Sequence, residues 1–153
     1  MNSVDIIQLK KLRNKTKKLK YEFVDGKYIF IYGSNPGCLV AHLDTVHKQL
    51  PSKILKRNNN NKIEYYATEG IGADDRAGVI AALYFLLNKK SHALFTFDEE
   101  IGGLGVKAFV KSDLFYQVKD DINIWIEYDR KGNNDYVTYG YENKDVFALL
   151  DSV

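Results

Sequence analysis

Hydrophobic and polar residues alternate along the chain with two different periods. Short runs rich in β-branched and aromatic residues predict strands at 27–33, 38–44, 62–67, 93–98, 123–129 and 135–140. Apolar residues at helical spacing predict helices at 5–19, 75–89 and 103–113, and the polar RNNNN segment at 57–61 predicts a turn. Strands that alternate with helices indicate an α/β domain.

Composition limits the classes of function. A chain of 153 residues, 45% hydrophobic, suits one domain, and its net charge of +2 favours no polyanionic partner. The basic face of helix 5–19 is expected to be solvated, because no aromatic residue interrupts it to stack on bases. The apolar run 79–87 is too short to span a bilayer. Cys38 is the only cysteine, which excludes an intrachain disulfide and a finger-type thiolate site. We therefore expect a soluble, cytoplasmic protein with no nucleic-acid or membrane partner.

Two clusters of polar residues lie at the end of a predicted strand and at the start of a predicted helix. In CLVAHLD, His42 and Asp44 are two residues apart and share a face of the strand, so Asp44 could accept the imidazole N–H. The alternative is an ordinary surface hydrogen bond. Asp74 and Asp75 open the helix 75–89, where one aspartate is most often an N-cap. Two acids exceed what one cap needs.

Two further acidic clusters follow strands. Residues 98–100 read Asp-Glu-Glu, and Asp129 ends the strand 123–129. If these strands lie in one α/β sheet, all four clusters meet near the carboxyl ends of strands, where ligands of such sheets bind. Carboxylates and an imidazole without thiolate suit zinc, manganese or cobalt, and a shared carboxylate suits two ions that activate a water. One glutamate would bind metal while its neighbour acts as general base.

Four segments resemble the co-catalytic zinc exopeptidases, which include tripeptide aminopeptidases, related carboxypeptidases, acyl-amino-acid deacylases and leucyl aminopeptidases. The segments are AHLDTV (41–46), GIGADDRAG (70–78), FTFDEEIGG (95–103) and IEYD (126–129), in the family's order. The resemblance covers about residues 28–130 and is closest to the tripeptide aminopeptidases. It implies a three-layer α/β sandwich with a mixed, mostly parallel sheet flanked by helices.

The resemblance also implies ligands for two metal ions, with zinc as the expected metal and Mn²⁺ or Co²⁺ as alternatives. One ion would be bound by His42, Asp74 and Asp129. The other would be bound by Asp74, which bridges the two ions, and by Glu100. Family members commonly have a cis peptide after the bridging aspartate, which here is the Asp74–Asp75 bond.

The resemblance assigns two further roles. Glu99 would be the general base that takes a proton from the water and passes it to the leaving amine, and Asp44 would orient His42. The implied substrates are small peptides or acylated amino acids, and a homodimer stays open. The alternative function is a non-catalytic metal-binding remnant or interaction domain.

One family feature is absent from the sequence. Family members carry a second ligand histidine downstream, whereas this sequence ends at Val153 with no histidine after Asp129. His92 should lie at the opposite end of the sheet, and His47 is expected to be a loop residue. We therefore predict a single catalytic-type domain over 1–153, with helix 5–19, a metal-site core at 28–130, a tail at 131–153 and no lid domain, and whether this catalytic domain is complete stays open.

Overall fold

A computed structural model of the chain describes residues 19–49, 51–129 and 136–138, together with residues 144 and 148. The strands are β1 (Tyr21–Val24), β2 (Tyr28–Ile31), β3 (Asn35–His42), β4 (Leu55–Asn59), β5 (Lys62–Tyr66), β6 (Ser91–Thr96) and β7 (Ile124–Glu127). The helices are α1 (Ala73–Lys89), α2 (Leu104–Val110) and α3 (Asp113–Val118). The predicted helix 5–19, apart from its last residue, and most of the tail 131–153 lie outside the described residues.

The main sheet is mixed, as predicted. Its strand order is β1-β2-β6-β3-β7, with antiparallel pairing of β1 with β2 and of β2 with β6, and parallel pairing of β3 with both β6 and β7. In the parallel part, His42 pairs with Thr96 and Val40 pairs with Glu127. The carboxyl ends of β6, β3 and β7 therefore lie at one edge of the sheet.

Helices cover both faces of this sheet, which confirms the three-layer α/β architecture. Alternate residues of β2 and β3 point to opposite faces, as strand geometry requires. On one face α1 packs through Ala82 and Leu86, and on the other α2 packs through Phe109. The first core contains Leu39, Ala41, Ala82, Leu86, Ala93 and Phe95, and the second contains Tyr28, Phe30, Cys38, Leu94, Phe109, Val118 and Ile122.

Three local predictions need correction. Arg57, predicted to begin a turn, lies in β4, because it pairs across a hairpin with Glu64 of β5. The turn itself is limited to Asn60 and Asn61, which both have positive φ, as a two-residue hairpin loop favours. Strand β1 was not predicted, because its four residues are all exposed and carry no burial pattern. Residues 136–138, within the strand predicted at 135–140, have no strand conformation.

The helices agree more closely with the sequence pattern. The helix predicted at 75–89 corresponds to α1, and the one predicted at 103–113 corresponds to α2, with α3 following after Ser112. Ser112 caps α3 by accepting a hydrogen bond from the Phe115 N–H at 3.2 Å. Within the described residues, no helix combines the length and hydrophobicity that crossing a bilayer requires.

Candidate metal centre

His42, the last residue of β3, is buried with its imidazole held in one orientation. Its Nδ1 lies 3.1 Å from the backbone carbonyl oxygen of Asp44. A carbonyl oxygen can only accept a hydrogen bond, so Nδ1 carries the proton and donates it. The other ring nitrogen, Nε2, faces a group of carboxylates. This is the arrangement by which proteins orient a metal-binding histidine.

Carboxylates from three separate segments surround Nε2 of His42. Asp74 Oδ1 lies 3.0 Å away, Asp129 Oδ2 3.7 Å away and Glu99 Oε2 4.0 Å away. Glu100 joins His42 and Asp74 in a second group whose potential ligand atoms all lie within 4.8 Å of one another. The fold therefore brings the four predicted metal ligands and the predicted base together at the strand ends.

The adjacent aspartates at the start of α1 have different positions. Asp75 is buried, and its carboxylate accepts hydrogen bonds from the Gly78 N–H at 2.8 Å and the His42 N–H at 3.3 Å. Asp74 and Asp75 have non-helical backbone angles, so the Asp75 carboxylate caps the regular helix that follows them, although α1 as a whole begins after Gly72. Asp75 also ties α1 to the end of β3. Asp74 is exposed and points at the His42 ring. The peptide bond between them is cis, as the resemblance implied.

Asp44 contacts His42 as predicted, but mainly through its backbone. Its carboxylate lies 3.5 Å from Nδ1, farther than its own carbonyl oxygen. The two carboxylate oxygens instead accept the backbone N–H groups of Glu99 and Glu100, each at 3.1 Å. These bonds outweigh the effect of burial and lower the pKa of Asp44. The sequence did not show this contact, which joins the loop after β3 to the turn after β6.

The turn after β6 positions the two glutamates. Asp98 has a left-handed backbone (φ 59°), and the Glu99 carbonyl oxygen accepts N–H groups from Gly102 and Gly103 at 2.8 and 2.9 Å. The carboxylate of Glu100 accepts the Val46 N–H at 3.2 Å. The turn is therefore fixed at its backbone, while Glu99 directs its carboxylate towards His42.

Protonation equilibria at the site show a shortage of positive charge. Burial, reinforced by the negative charge of Asp74, raises the pKa of Asp129. Burial also raises the pKa of Asp75 to about 6 and raises that of Glu127. Burial lowers the pKa of His42, but the hydrogen bond to Asp74 and nearby carboxylates outweigh it and raise that pKa overall. A bound cation would reverse these shifts, because it favours the charged carboxylates and the neutral imidazole.

The donor set fits a divalent metal ion. It combines one oriented imidazole nitrogen with several carboxylate oxygens and contains no thiolate, which suits zinc and also manganese or cobalt. These groups could therefore hold a metal, and their chemistry alone does not select which one.

The other two histidines lie outside this donor set. His92 is on β6, where it pairs with Cys38, four residues and about 13 Å along the strand from the level of His42. Its Nδ1 accepts the Gly33 N–H at 3.2 Å. The ring of His47 packs against Gly70. In the part of the chain that the structure describes, neither histidine belongs to a group that could hold a metal.

Comparison with known proteins gives a coarse indication of function. No protein-family model matches the chain. A protein from Emericella nidulans named a probable carboxypeptidase is 37% identical over 79 residues. The matched region covers 46% of this chain and 18% of that protein, so the chain spans less than a fifth of its relative's length. The similarity is consistent with a hydrolase of the peptidase type.

Proposed function

We propose that this chain carries the metal centre of a metal-dependent exopeptidase or amide hydrolase acting on small peptides or acylated amino acids. The observation that carries the proposal is the buried His42, whose Nδ1 is fixed by Asp44 and whose Nε2 faces carboxylates from other strand ends and from the start of α1. Its partial similarity to a probable carboxypeptidase supports the hydrolase class.

Four residues would hold a pair of ions, with zinc as the expected metal. His42, Asp74 and Asp129 surround one position, and Asp74 with Glu100 borders the other. When bound, such a pair supplies Lewis acidity that activates a water and polarises the scissile carbonyl group. Asp74 suits the bridging role because its exposed carboxylate lies 3.0 Å from His42 Nε2 and within 4.8 Å of a Glu100 carboxylate oxygen.

Glu99 is the residue that we propose as general base. Its carboxylate is partly exposed, reaches the ligand group at 4.0 Å from His42, and stands on a backbone that Asp44 holds in place. From there it can take a proton from the attacking water and deliver it to the leaving amine.

The Glu99→Gln substitution tests this proposal. Glutamine keeps the size of the side chain but cannot accept the proton, so we expect hydrolysis of dipeptides and acylated amino acids by the full native product to fall by about 10²–10⁴-fold. Zinc content, measured by elemental analysis, should remain close to that of the unaltered protein. Glu64→Gln, the same change on the exposed hairpin, serves as the control and should retain full activity.

Two results would contradict the proposal. Full activity in the Glu99→Gln variant would remove Glu99 from the mechanism. Zinc binding by the full native product without hydrolysis of either substrate class would favour the alternative of a non-catalytic metal-binding domain.

A further inference from the structure

A small cavity lies next to the metal centre and has the opposite charge character. Its volume is about 120 Å³, and it lies between the loop after β3 and the loop that enters α1. Its lining includes Thr45, His47, Lys48, Gly70, Gly72 and Arg76. Among the described residues no acidic side chain lines it, although acids crowd the neighbouring centre.

The His47 and Arg76 side chains of this cavity pack against glycines. Gly70 and Gly72 both have positive φ, at 84° and 59°. A Cβ atom on Gly70 would overlap the His47 ring, and one on Gly72 would overlap the Arg76 guanidinium. Arg76 also donates a hydrogen bond to the Ile71 carbonyl oxygen. This bond fixes the guanidinium over the loop and leaves other N–H groups free to face a ligand.

Both walls of the cavity continue directly into the metal centre. Thr45 follows Asp44, and its neighbour Val46 donates to Glu100. Gly72 precedes Asp74 by two residues, a Cα separation of at most about 7.6 Å. In a substrate, the carboxylate of the carboxy-terminal residue lies only about 4 Å from the scissile carbonyl carbon. A substrate bound at the metal centre would therefore reach the cavity with that carboxylate.

We infer that this cavity binds the free α-carboxylate of the substrate, through Arg76, Lys48 and His47. The inference rests on the proposed function. Arg76 and Lys48 line one cavity beside a glycine loop, and an arginine and a lysine bind a carboxylate by charge-assisted hydrogen bonds. The same cations repel the ammonium group of a free amino terminus. The substrates are thus peptides cleaved at their carboxyl end or acylated amino acids, rather than peptides held by their amino terminus.

The test compares two probes that differ only in this charge. N-acetyl-L-alanine carries the carboxylate, and N-acetyl-L-alaninamide is its uncharged counterpart. Each is titrated into metal-free and zinc-loaded protein while the backbone N–H signals of Gly70 and Gly72 are followed by NMR. We expect the acid to shift both signals and to bind about tenfold or more tightly than the amide, in the absence of metal as well.

Arg76→Gln should weaken binding of the acid by about tenfold or more. Arg57→Gln, the same change on the exposed hairpin outside the cavity, should leave that binding unchanged. Lys48→Gln provides a second variant, which leaves the hydrogen bond from Arg76 to Ile71 intact. It should also bind the acid more weakly than the unaltered protein does. Thermal melting of each variant verifies that it is folded.

Three results would overturn the inference. These are equal binding of acid and amide, equal acid binding by the Arg76 and Arg57 variants, or shifts at Glu99 and Glu100 with none at Gly70 and Gly72. Zinc content is measured on the same samples. If the protein binds the acid but no zinc, only the proposed metal centre is refuted. If the protein binds zinc but not the acid, only the assignment of the cavity is refuted.

Discussion

Asp44 connects two parts of the site that lie far apart in sequence. Its backbone carbonyl orients His42, and its carboxylate holds the N–H groups of Glu99 and Glu100. The spacing of two residues predicted a contact between Asp44 and His42, but through the Asp44 side chain rather than through its backbone carbonyl. The contact with the glutamate N–H groups depends on the parallel register of β3 and β6, which no local pattern encodes. The sequence could therefore indicate which residues belong to the site, but not that Asp44 acts mainly on the glutamate turn.

The Asp44→Asn substitution tests this role. The N–H groups of Glu99 and Glu100 each need an acceptor, and asparagine offers only one side-chain oxygen. Its NH₂ group would face the second N–H, and both groups are donors. We expect zinc affinity and kcat/KM each to fall by about 10–100-fold, as for other groups that orient metal ligands. Titration calorimetry and steady-state kinetics give the two values. Asp120→Asn, at an exposed ion pair with Lys119, is the control; equal zinc affinity in both variants would refute the role.

At the scale of elements, the start of α1 determines how the helix meets the sheet. Helical spacing predicted this helix nearly to its ends. It could not predict that Asp74 and Asp75 have non-helical backbone angles or that Asp75 reaches the His42 backbone. Gly78 makes this contact possible, because a Cβ there would overlap the Asp75 carboxylate. The position of Asp74 beside His42 thus depends on a glycine one turn into the helix.

Gly78→Ala should destabilise the protein, although alanine is normally favoured over glycine within a helix by about 1 kcal/mol. We expect a net loss of about 1–3 kcal/mol, because the added methyl group displaces a buried, hydrogen-bonded carboxylate. Urea denaturation measures this free energy of unfolding. Ala77→Gly, at the exposed neighbouring position, gives the ordinary helix propensity as a reference. A more stable Gly78→Ala variant would show that the Asp75 contact does not constrain the helix.

At the scale of the whole molecule, the order of strands and helices in the sequence was sufficient to predict the α/β class and the gathering of acids at strand ends. The exposed elements were harder to predict. β1 and β4 bury few side chains, so their strand conformation depends on the partner strand rather than on a hydrophobic pattern. The cavity beside the centre could not be predicted either, because Lys48 comes from the loop after β3 and Arg76 from the start of α1, which only the fold brings together.

The metal-free protein should lose stability as the pH rises from about 5 to 7. The pKa of Asp75 is raised to about 6, and burial also raises that of Glu127 and, with the charge of Asp74, that of Asp129. The folded state therefore binds more protons than the unfolded state in this range, and stability falls as pH rises. The raised pKa of His42 extends this loss of stability to higher pH, while the lowered pKa of His92 opposes it. The lowered pKa values of Asp44, Glu64 and Glu69 also oppose it, but mainly below about pH 5.

Zinc should reverse this trend, because the ligands must lose protons to bind it. Stabilisation by zinc should therefore increase with pH between about 5 and 8. Urea denaturation at several pH values, with zinc and with a chelator, measures both effects. A metal-free protein that gains stability over this range, or a zinc effect that does not depend on pH, would contradict the account of the site.

The most direct test of the metal centre is zinc content per chain, measured by elemental analysis after zinc loading and removal of free metal. The account predicts bound zinc that Asp74→Ala removes, since this carboxylate borders both positions, and that Glu100→Ala reduces. Asp120→Asn should leave the content unchanged. If the unaltered protein binds no zinc, or if Asp74→Ala binds as much as Asp120→Asn, the group around His42 is not a metal centre.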